Sequence, residues 1–258
     1  MDLRLNGKVA LITGSSKGIG KGIAQLLAQE GCHITLCARH KETLESSADE
    51  LRQHGTKIFP IQCDITKPGE SYRLVASTIE YFKRIDILVN NVGGNRRKNF
   101  DQTSDEDWED IINLNLFSHI RVTRNIIPHM KKQGSGSIIF ISSIFGRESG
   151  GPTLSIYNTT KSALISLAKI MALELAVHGI RVNSVAPGSI LFPGGSWDNR
   201  SKQDPSGITE FIKQNLPFGR FGTVEEVANV VAFLASEKAS WLSGTCINVD
   251  GCQSKSLI

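Results

Sequence analysis

Val9–Gly20, reading VALITGSSKGIG, decides how the rest of the chain is read. Five residues rich in strand formers, Val9 to Thr13, run directly into Gly14, Gly18 and Gly20. Behind them Ile19, Ile23, Leu26 and Leu27 recur on one side of a helix that Gly31 stops. Glycines between a strand and a helix permit a tight turn. They also let backbone N–H groups approach a pyrophosphate, and the helix N-terminus adds partial positive charge. A plain βα turn is the alternative, but strand, glycines and helix in this order favour a dinucleotide site. A nucleoside-triphosphate loop does not fit, because Gly20-Lys21 is followed by Gly22 rather than Ser or Thr. The spacing is G-x-x-x-G-x-G.

Working outward, the same alternation repeats. His33–Ala38 reads as a strand, 41–54 as a polar helix ended by Gly55, and Lys57–Cys63 as a strand whose Pro60 suits a sheet edge. A helix over 70–82 leads to a strand at Ile85–Val89, and a longer helix over 105–131 carries Trp108, Ile111, Ile112, Leu116 and Ile120. Strands follow at 137–141 and Ile180–Ala186, with a long helix over 156–178 between them. Then come a Gly/Pro/Ser-rich loop over 187–207, a short helical patch at 208–215, a helix at 224–236 and a last strand at 245–249. Strands that are continuous apolar runs, each followed by a helix, predict a parallel sheet covered on both faces. Residues 1–258 read as a single α/β domain without internal repeats.

Composition narrows the partners. The net charge of +4 is modest for 258 residues and argues against nucleic acid as the main partner. The five cysteines, Cys32, Cys37, Cys63, Cys246 and Cys252, form no C-x-x-C pair. They read as small buried thiols, not as a metal site or a disulfide framework. The start, MDLRLNGKVALITG, has no signal-peptide pattern, and no apolar run is long enough to span a membrane. The expectation is a soluble, cytoplasmic protein with no metal, no membrane and no nucleic acid.

A second stretch carries chemistry. Ser142–Lys161 reads SSIFGRESGGPTLSIYNTTK and follows the apolar run Ile138–Ile141. Tyr157 and Lys161 lie four apart and therefore share a helix face. A free phenol has a pKa of about 10, and a cation one turn away favours the phenolate and lowers that value. The pair predicts a tyrosine able to move protons near neutral pH.

Thr13–Gly20, Asn90-Asn-Val-Gly93, Asn115 within Leu-Asn-Leu, Ser143, Tyr157-x-x-x-Lys161 and Pro187-Gly188 together resemble the short-chain dehydrogenase/reductase family, and members of the 3-oxoacyl-carrier-protein reductase type in particular. The resemblance covers almost the whole chain. It implies a Rossmann fold with a seven-stranded sheet in the order 3-2-1-4-5-6-7, a nicotinamide cofactor, and hydride transfer between a carbonyl and a secondary alcohol. It casts Tyr157 as general acid and base, Lys161 as its cationic partner and holder of the nicotinamide ribose, Ser143 as the substrate-oxygen contact, and Asn115 as anchor of a relay water. Adjacent residues at a strand end point to opposite sides, so only one of Ser142 and Ser143 faces the site.

The same resemblance places the cofactor on Gly14, Ser16, Lys17, Gly18, Ile19 and Gly20, then on Arg39, Asp64, Ile65, Asn91 and Gly93, and finally on Tyr157, Lys161, Pro187, Gly188 and Ile190. Asp64 would meet the adenine, or else cap a helix before Thr66-Lys67-Pro68. Asn91 and Gly93 would pack on the adenine-side ribose. Strand two ends in Cys37-Ala38-Arg39, with no acid to accept from a ribose 2′-OH, and Lys17 lies nearby. Arg39 and Lys17 would grip a 2′-phosphate, so NADP(H) is preferred, with NAD(H) the alternative.

Two departures from the family pattern stand out. Arg147–Pro152 lengthens the loop before Tyr157, and Phe192 occupies a position where members often carry a Thr that binds the nicotinamide carboxamide. Residues 188–216 would form the substrate lid, with Trp197 as a pocket wall or part of an ordinary mobile loop. Arg96-Arg97-Lys98 would reach the rim and suit an anionic substrate. The helix after Lys161 is apolar around more of its circumference than one sheet face needs. With the neighbouring helix and Trp241–Asp250, it would build a homotetramer, a dimer being second. Two other readings compete: an NAD-dependent alcohol or sugar dehydrogenase, and a regulatory or scaffold protein that binds the cofactor without turnover.

Overall fold

The computed structural model describes residues 2–257. Strands β1 (Val9–Thr13), β2 (His33–Ala38), β3 (Ile58–Gln62), β4 (Ile87–Asn90), β5 (Gly136–Ile141), β6 (Ile180–Pro187) and β7 (Cys246–Val249) form a seven-stranded sheet. Its order is β3-β2-β1-β4-β5-β6-β7, and every neighbouring pair is parallel. This is the Rossmann arrangement expected from the sequence. Pro60 lies in β3 at the sheet edge, where its missing N–H removes no ladder bond.

The period-2 geometry of a strand sends successive side chains to opposite faces. Along β1, Ala10 and Ile12 join the core under α1 (Gly18–Gln29), α2 (Lys41–Arg52) and α9 (Val224–Ala235). Leu11 points the other way, into the core under α3 (Glu70–Phe82), α5 (Ser118–Gln133) and α6 (Ser155–Leu175). Both faces are dry, which is why the strands read as unbroken apolar runs. Because all strands are parallel, their C-terminal ends share one edge. Gly14, Arg39, Asn91 and Ser143 follow β1, β2, β4 and β5 there, and Pro187 ends β6.

Two elements differ from the sequence expectation. The helix expected over 105–131 is interrupted: α4 (Asp105–Ile112) passes into a π-helical turn, Asn113–Phe117, before α5 begins. Asn115 lies inside that turn and is fully buried. The 187–207 loop contains a helix, α7 (Ser196–Gln203), directly followed by α8 (Pro205–Asn215). The sequence of α7, SWDNRSKQ, shows no apolar stripe, so periodicity missed it. It is held by Asp198, which accepts from Gly194 N at 2.8 Å and pairs with Lys202 at 2.7 Å. Trp197 also anchors it, its ring packed at a tilt 4.5 Å from Phe211 and 5.1 Å from Phe221. With Ile208 and Leu216 these rings form a small separate core.

The cysteines are unbridged thiols, with Cys32, Cys37 and Cys63 buried. Among the described residues no helix is long and apolar enough to cross a membrane, and no cluster of His, Cys, Asp and Glu could hold a metal ion.

Candidate active site

The glycine loop is shaped by backbone demands. Gly14 and Gly18 adopt φ of +66° and +57°, where a side chain is strained. A Cβ on Gly20 would run into the Asn91 amide nitrogen and the Gly14 carbonyl, so α1 packs hard against the loop. Lys17 is the N-cap of α1 and supplies no side-chain cap, which leaves the first N–H groups of the helix without a side-chain acceptor. Ser15 ties the ends of β1 and β2 together, its hydroxyl donating to Ile12 O at 3.0 Å and accepting from Cys37 N at 2.9 Å. Asn91 braces the loop from behind: its side-chain amide donates to Thr13 O at 3.0 Å and Gly14 O at 3.1 Å. That nitrogen is therefore directed at the glycine turn, while Asn91 also lines the cavity in front of it.

In front of the loop lies a cavity of ≈ 690 Å³. Every residue expected to hold cofactor lines it except Gly20, whose place is the loop–helix contact. Lys17 and Arg39 are exposed at one end, and neither forms an ion pair among the described residues. The Arg39 carbonyl accepts from Gln62 Nε2 at 3.0 Å, which fixes its backbone. Asp64 is the only carboxylate among the described lining residues. Its Oδ1 accepts from Thr66 N at 3.1 Å and Thr66 Oγ1 at 2.7 Å. It thus organises a local turn and does not cap α3, which starts at Glu70 behind Gly69. The glycine cradle and the uncapped helix end fit a dinucleotide.

At the other end stand Ser143, Tyr157 and Lys161, all on the cavity wall. Both Ser142 and Ser143 line the cavity, but their hydroxyls have different partners. Ser142 Oγ donates to Lys161 O at 2.8 Å and is used on the backbone, while Ser143 Oγ accepts from Phe145 N at 3.1 Å and is near enough to the Tyr157 phenol to pull its pKa down. The Lys161 ammonium lies 5.7 Å from the Tyr157 ring centroid and donates to Ile141 O at 2.9 Å. Burial pushes its pKa down to about 8. The expected lowering of Tyr157 by Lys161 is not what this geometry gives. Burial raises the phenol above its ordinary 10.0, and the opposing pulls come from the Ser143 hydrogen bond and the charge of Arg97. The reason is the order of titration: burial lowers Lys161 below the phenol, so Lys161 has lost its charge before Tyr157 ionises.

Asn115 does not line the cavity; it lies beneath it. Its Oδ1 accepts from Gly94 N at 2.8 Å, and its Nδ2 donates to Gly94 O at 2.9 Å and Thr160 Oγ1 at 3.0 Å. A Cβ on Gly93 would come 3.4 Å from Lys161 Nζ and 3.6 Å from Asn115 Oδ1. The segment after β4 therefore passes tightly over both residues. The arrangement can present a hydroxyl, a phenol and an ammonium to one substrate oxygen.

Comparison with known proteins decides what kind of protein this is. A family model described as Enoyl-(Acyl carrier protein) reductase matches residues 14–252. The chain is also 39% identical over 249 residues to the 3-oxoacyl-[acyl-carrier-protein] reductase FabG of Thermotoga maritima, covering 96% of this chain and 98% of that one. The chain belongs to the short-chain dehydrogenase/reductase family. Among solved structures, L-sorbose reductase from Gluconobacter frateurii, complexed with NADPH and L-sorbose, superposes with a TM-score of 0.95 at 35% identity, each chain covered to 100%. A 7α-hydroxysteroid dehydrogenase complexed with NADH and 7-oxo glycochenodeoxycholic acid gives 0.91 at 34%, with coverage of 100% and 98%. This short-chain dehydrogenase/reductase is thus an oxidoreductase that acts on alcohol or carbonyl groups with a nicotinamide dinucleotide.

Gln253 at this dehydrogenase/reductase's cleft escaped the sequence reading, as did the contacts of Arg147, Phe192 and the Arg96–Lys98 run. Gln253, beyond the last strand, accepts from Ser189 N at 2.7 Å through Oε1 and braces the Pro187–Ser189 turn. Only the tertiary fold brings those segments together. Arg147 donates to Cys246 O at 3.2 Å and Asn248 Oδ1 at 3.1 Å, so the long loop before Tyr157 is pinned to β7. Phe192 lays its ring over the glycine loop, where a Cβ on Gly18 would come within 2.7 Å of it. Of Arg96-Arg97-Lys98, only Arg97 reaches the cavity. Arg96 pairs with Asp107 at 2.7 Å and Asp110 at 3.0 Å, and Lys98 pairs with Asp107 at 2.6 Å.

Proposed function

We propose that this protein reduces a carbonyl to a secondary alcohol with NADPH, with Tyr157 giving the proton. The observation that carries the reading is the meeting of Ser143 and Tyr157 on the cavity wall beside the buried Lys161. A bound nicotinamide supplies the hydride and, once oxidised, a positive charge. Ser143 holds the substrate oxygen, and Tyr157 transfers its proton to that oxygen as negative charge develops there. Lys161 keeps a cation beside the phenol and reaches toward the ribose hydroxyls. Asn115 positions the strip Gly93–Gly94 and the helix bearing Tyr157 through its bonds to Gly94 and Thr160. As anchor of a relay water it would keep the proton supply open. Gly14, Ser16, Lys17, Gly18 and Ile19 cradle the pyrophosphate. Asp64 and Ile65 meet the adenine, and Pro187, Gly188 and Ile190 support the nicotinamide end. Residues 188–216 act as the substrate lid.

NADP(H) is favoured because Arg39 and Lys17 stand unpaired where a 2′-phosphate would lie, with no acid after β2. The structural relative complexed with NADH keeps NAD(H) as the second reading. A 3-oxoacyl thioester is the favoured substrate class, on the similarity to the Thermotoga maritima enzyme. Assembly as a homotetramer and residence in the cytoplasm complete the proposal.

The test is turnover of acetoacetyl and crotonyl thioesters, each with NADPH and with NADH. The expected result is reduction of the 3-oxo compound with NADPH, and a shift of preference toward NADH in Arg39→Asp. Reduction of the crotonyl thioester alone would contradict the carbonyl reading, and equal binding of the two cofactors by the parent protein would contradict the NADP(H) assignment.

A further inference from the structure

Arg97 is displayed, not merely exposed. Its neighbours Arg96 and Lys98 both clasp Asp107, a buried carboxylate that also closes the N-terminus of α4 in a capping box with Ser104. Lys98 N donates to Thr153 O at 3.3 Å, which ties the same strip to the loop leading into Tyr157. Thr153 holds a φ of +70°, a conformation β-branched residues rarely adopt, so this junction is fixed by its surroundings. The backbone on both sides of Arg97 is therefore tied down, and Arg97 lines the cleft without a carboxylate partner among the described residues. It lines the same cavity as Tyr157, and its charge is felt at the phenol.

A second guanidinium stands in the lid. Arg200 lies 4.7 Å over the Trp197 ring, and that ring packs at a tilt against both Phe211 and Phe221. Stacking on an aromatic face orients a guanidinium without using its N–H donors. Of the two acids beside it in sequence, Asp198 pairs with Lys202 at 2.7 Å, and Asp204 accepts from Gly207 N at 2.9 Å and Ser206 Oγ at 3.0 Å; neither is within ion-pair distance of Arg200 among the described residues, although the charge of Arg200 is felt at Asp204. Both cations line the same cavity, whose single carboxylate among the described residues, Asp64, belongs to the turn after β3. Two oriented, unpaired guanidiniums opening on one cleft are built to receive an oxyanion.

We propose that the substrate carries an oxyanion beyond its carbonyl, a carboxylate or a phosphate, and that Arg97 and Arg200 receive it at the mouth of the cleft. This rests on the carbonyl-reductase reading in taking the Tyr157 end of the cavity as the substrate end. It adds a charge requirement that neither the fold nor the Ser143, Tyr157 and Lys161 set imposes.

The experiment measures calorimetric binding to the protein saturated with NADP+, using two matched pairs of probes. Acetoacetyl-phosphopantetheine is compared with acetoacetyl-pantetheine, which lacks only the phosphate. 3-Oxoadipate is compared with its dimethyl ester. In the parent protein the charged member of at least one pair should bind roughly tenfold or more tightly, in line with hydrogen bonds to a charged group. The pair showing the preference identifies the phosphate or the carboxylate as the natural feature. Arg97→Ala and Arg200→Ala should each pull that ratio toward one, and raised salt should do the same. Ratios near one in the parent, or ratios unmoved in both variants, overturn the proposal. Turnover is measured separately on the same probes. A charge preference without turnover would contradict the reductase reading while supporting the oxyanion site, and turnover without a charge preference would do the reverse.

Discussion

At the scale of single residues, the cleft is built from groups that the fold holds at a cost. Burial brings Lys161 to a pKa of about 8, against 10.5 for a free lysine. The folded value lies below the unfolded one, so the folded state near neutral pH carries a desolvation penalty. Stability rises as pH climbs from about 8 through 10.5, because there the unfolded chain binds the extra proton. Lys161→Met is therefore expected to stabilise the protein at pH 7 by on the order of 2 kcal/mol, the lost bond to Ile141 O offsetting part of the gain, while abolishing turnover. Thermal unfolding of both forms at pH 7 and pH 10 checks this, and the gap should narrow at the higher pH. A variant less stable than the parent at pH 7 would contradict it. The residue types at this site were legible because Tyr157 and Lys161 are close in sequence. The direction of the Lys161 ammonium, toward Ile141 O, was not. That depends on where β5 ends relative to α6, a tertiary distance that no local pattern carries.

At the scale of elements, the sheet was readable and the interruptions were not. The strands bury both faces, so each announces itself as an apolar run, and their ends place the glycine loop, Arg39 and Ser143 on one edge. The π turn at Asn113–Phe117 has no compositional mark, since an i→i+5 bond uses the same residue types as i→i+4. Yet Asn115, a poor helix former in the middle of a helical stretch, was a local inconsistency of the sort that marks a functional site. Asn115→Ala would leave the N–H and carbonyl of Gly94 without their partner. The expected loss is about 1–3 kcal/mol of stability, with a fall in kcat larger than any change in KM for cofactor. Equilibrium denaturation and steady-state kinetics on the same preparation give both numbers, and unchanged kcat would remove Asn115 from the proposed machinery. Helix α7 was hidden for a different reason. Its polar sequence hangs on one aromatic, Trp197, whose partners Phe211 and Phe221 lie beyond the helix itself.

At the scale of the whole molecule, α6 has two jobs. Leu164, Ala168 and Met171 face the sheet. Ile170 and Leu173 on the same helix, and Val177 just after it, are 52%, 65% and 82% exposed, with Phe117 of the π turn at 47%. Apolar residues at this spacing in water suit a second copy of the chain. Trp241, 98% exposed before β7, belongs to the other region expected to join subunits. Leu173→Glu is expected to lower the assembly state seen by light scattering after size exclusion, from the proposed tetramer toward smaller species. A parent protein already monomeric at micromolar concentration would contradict the assembly proposal.

The central claim is that Tyr157 donates the proton in an NADPH-dependent carbonyl reduction. The most direct measurement is NADPH consumption with acetoacetyl thioesters and a panel of simple ketones, by the parent protein and by Tyr157→Phe. Consumption by the parent, reduced by roughly 10²–10⁴-fold in the variant with cofactor binding retained, is the predicted result. Undiminished turnover in Tyr157→Phe, or no consumption by the parent with any carbonyl, would contradict it.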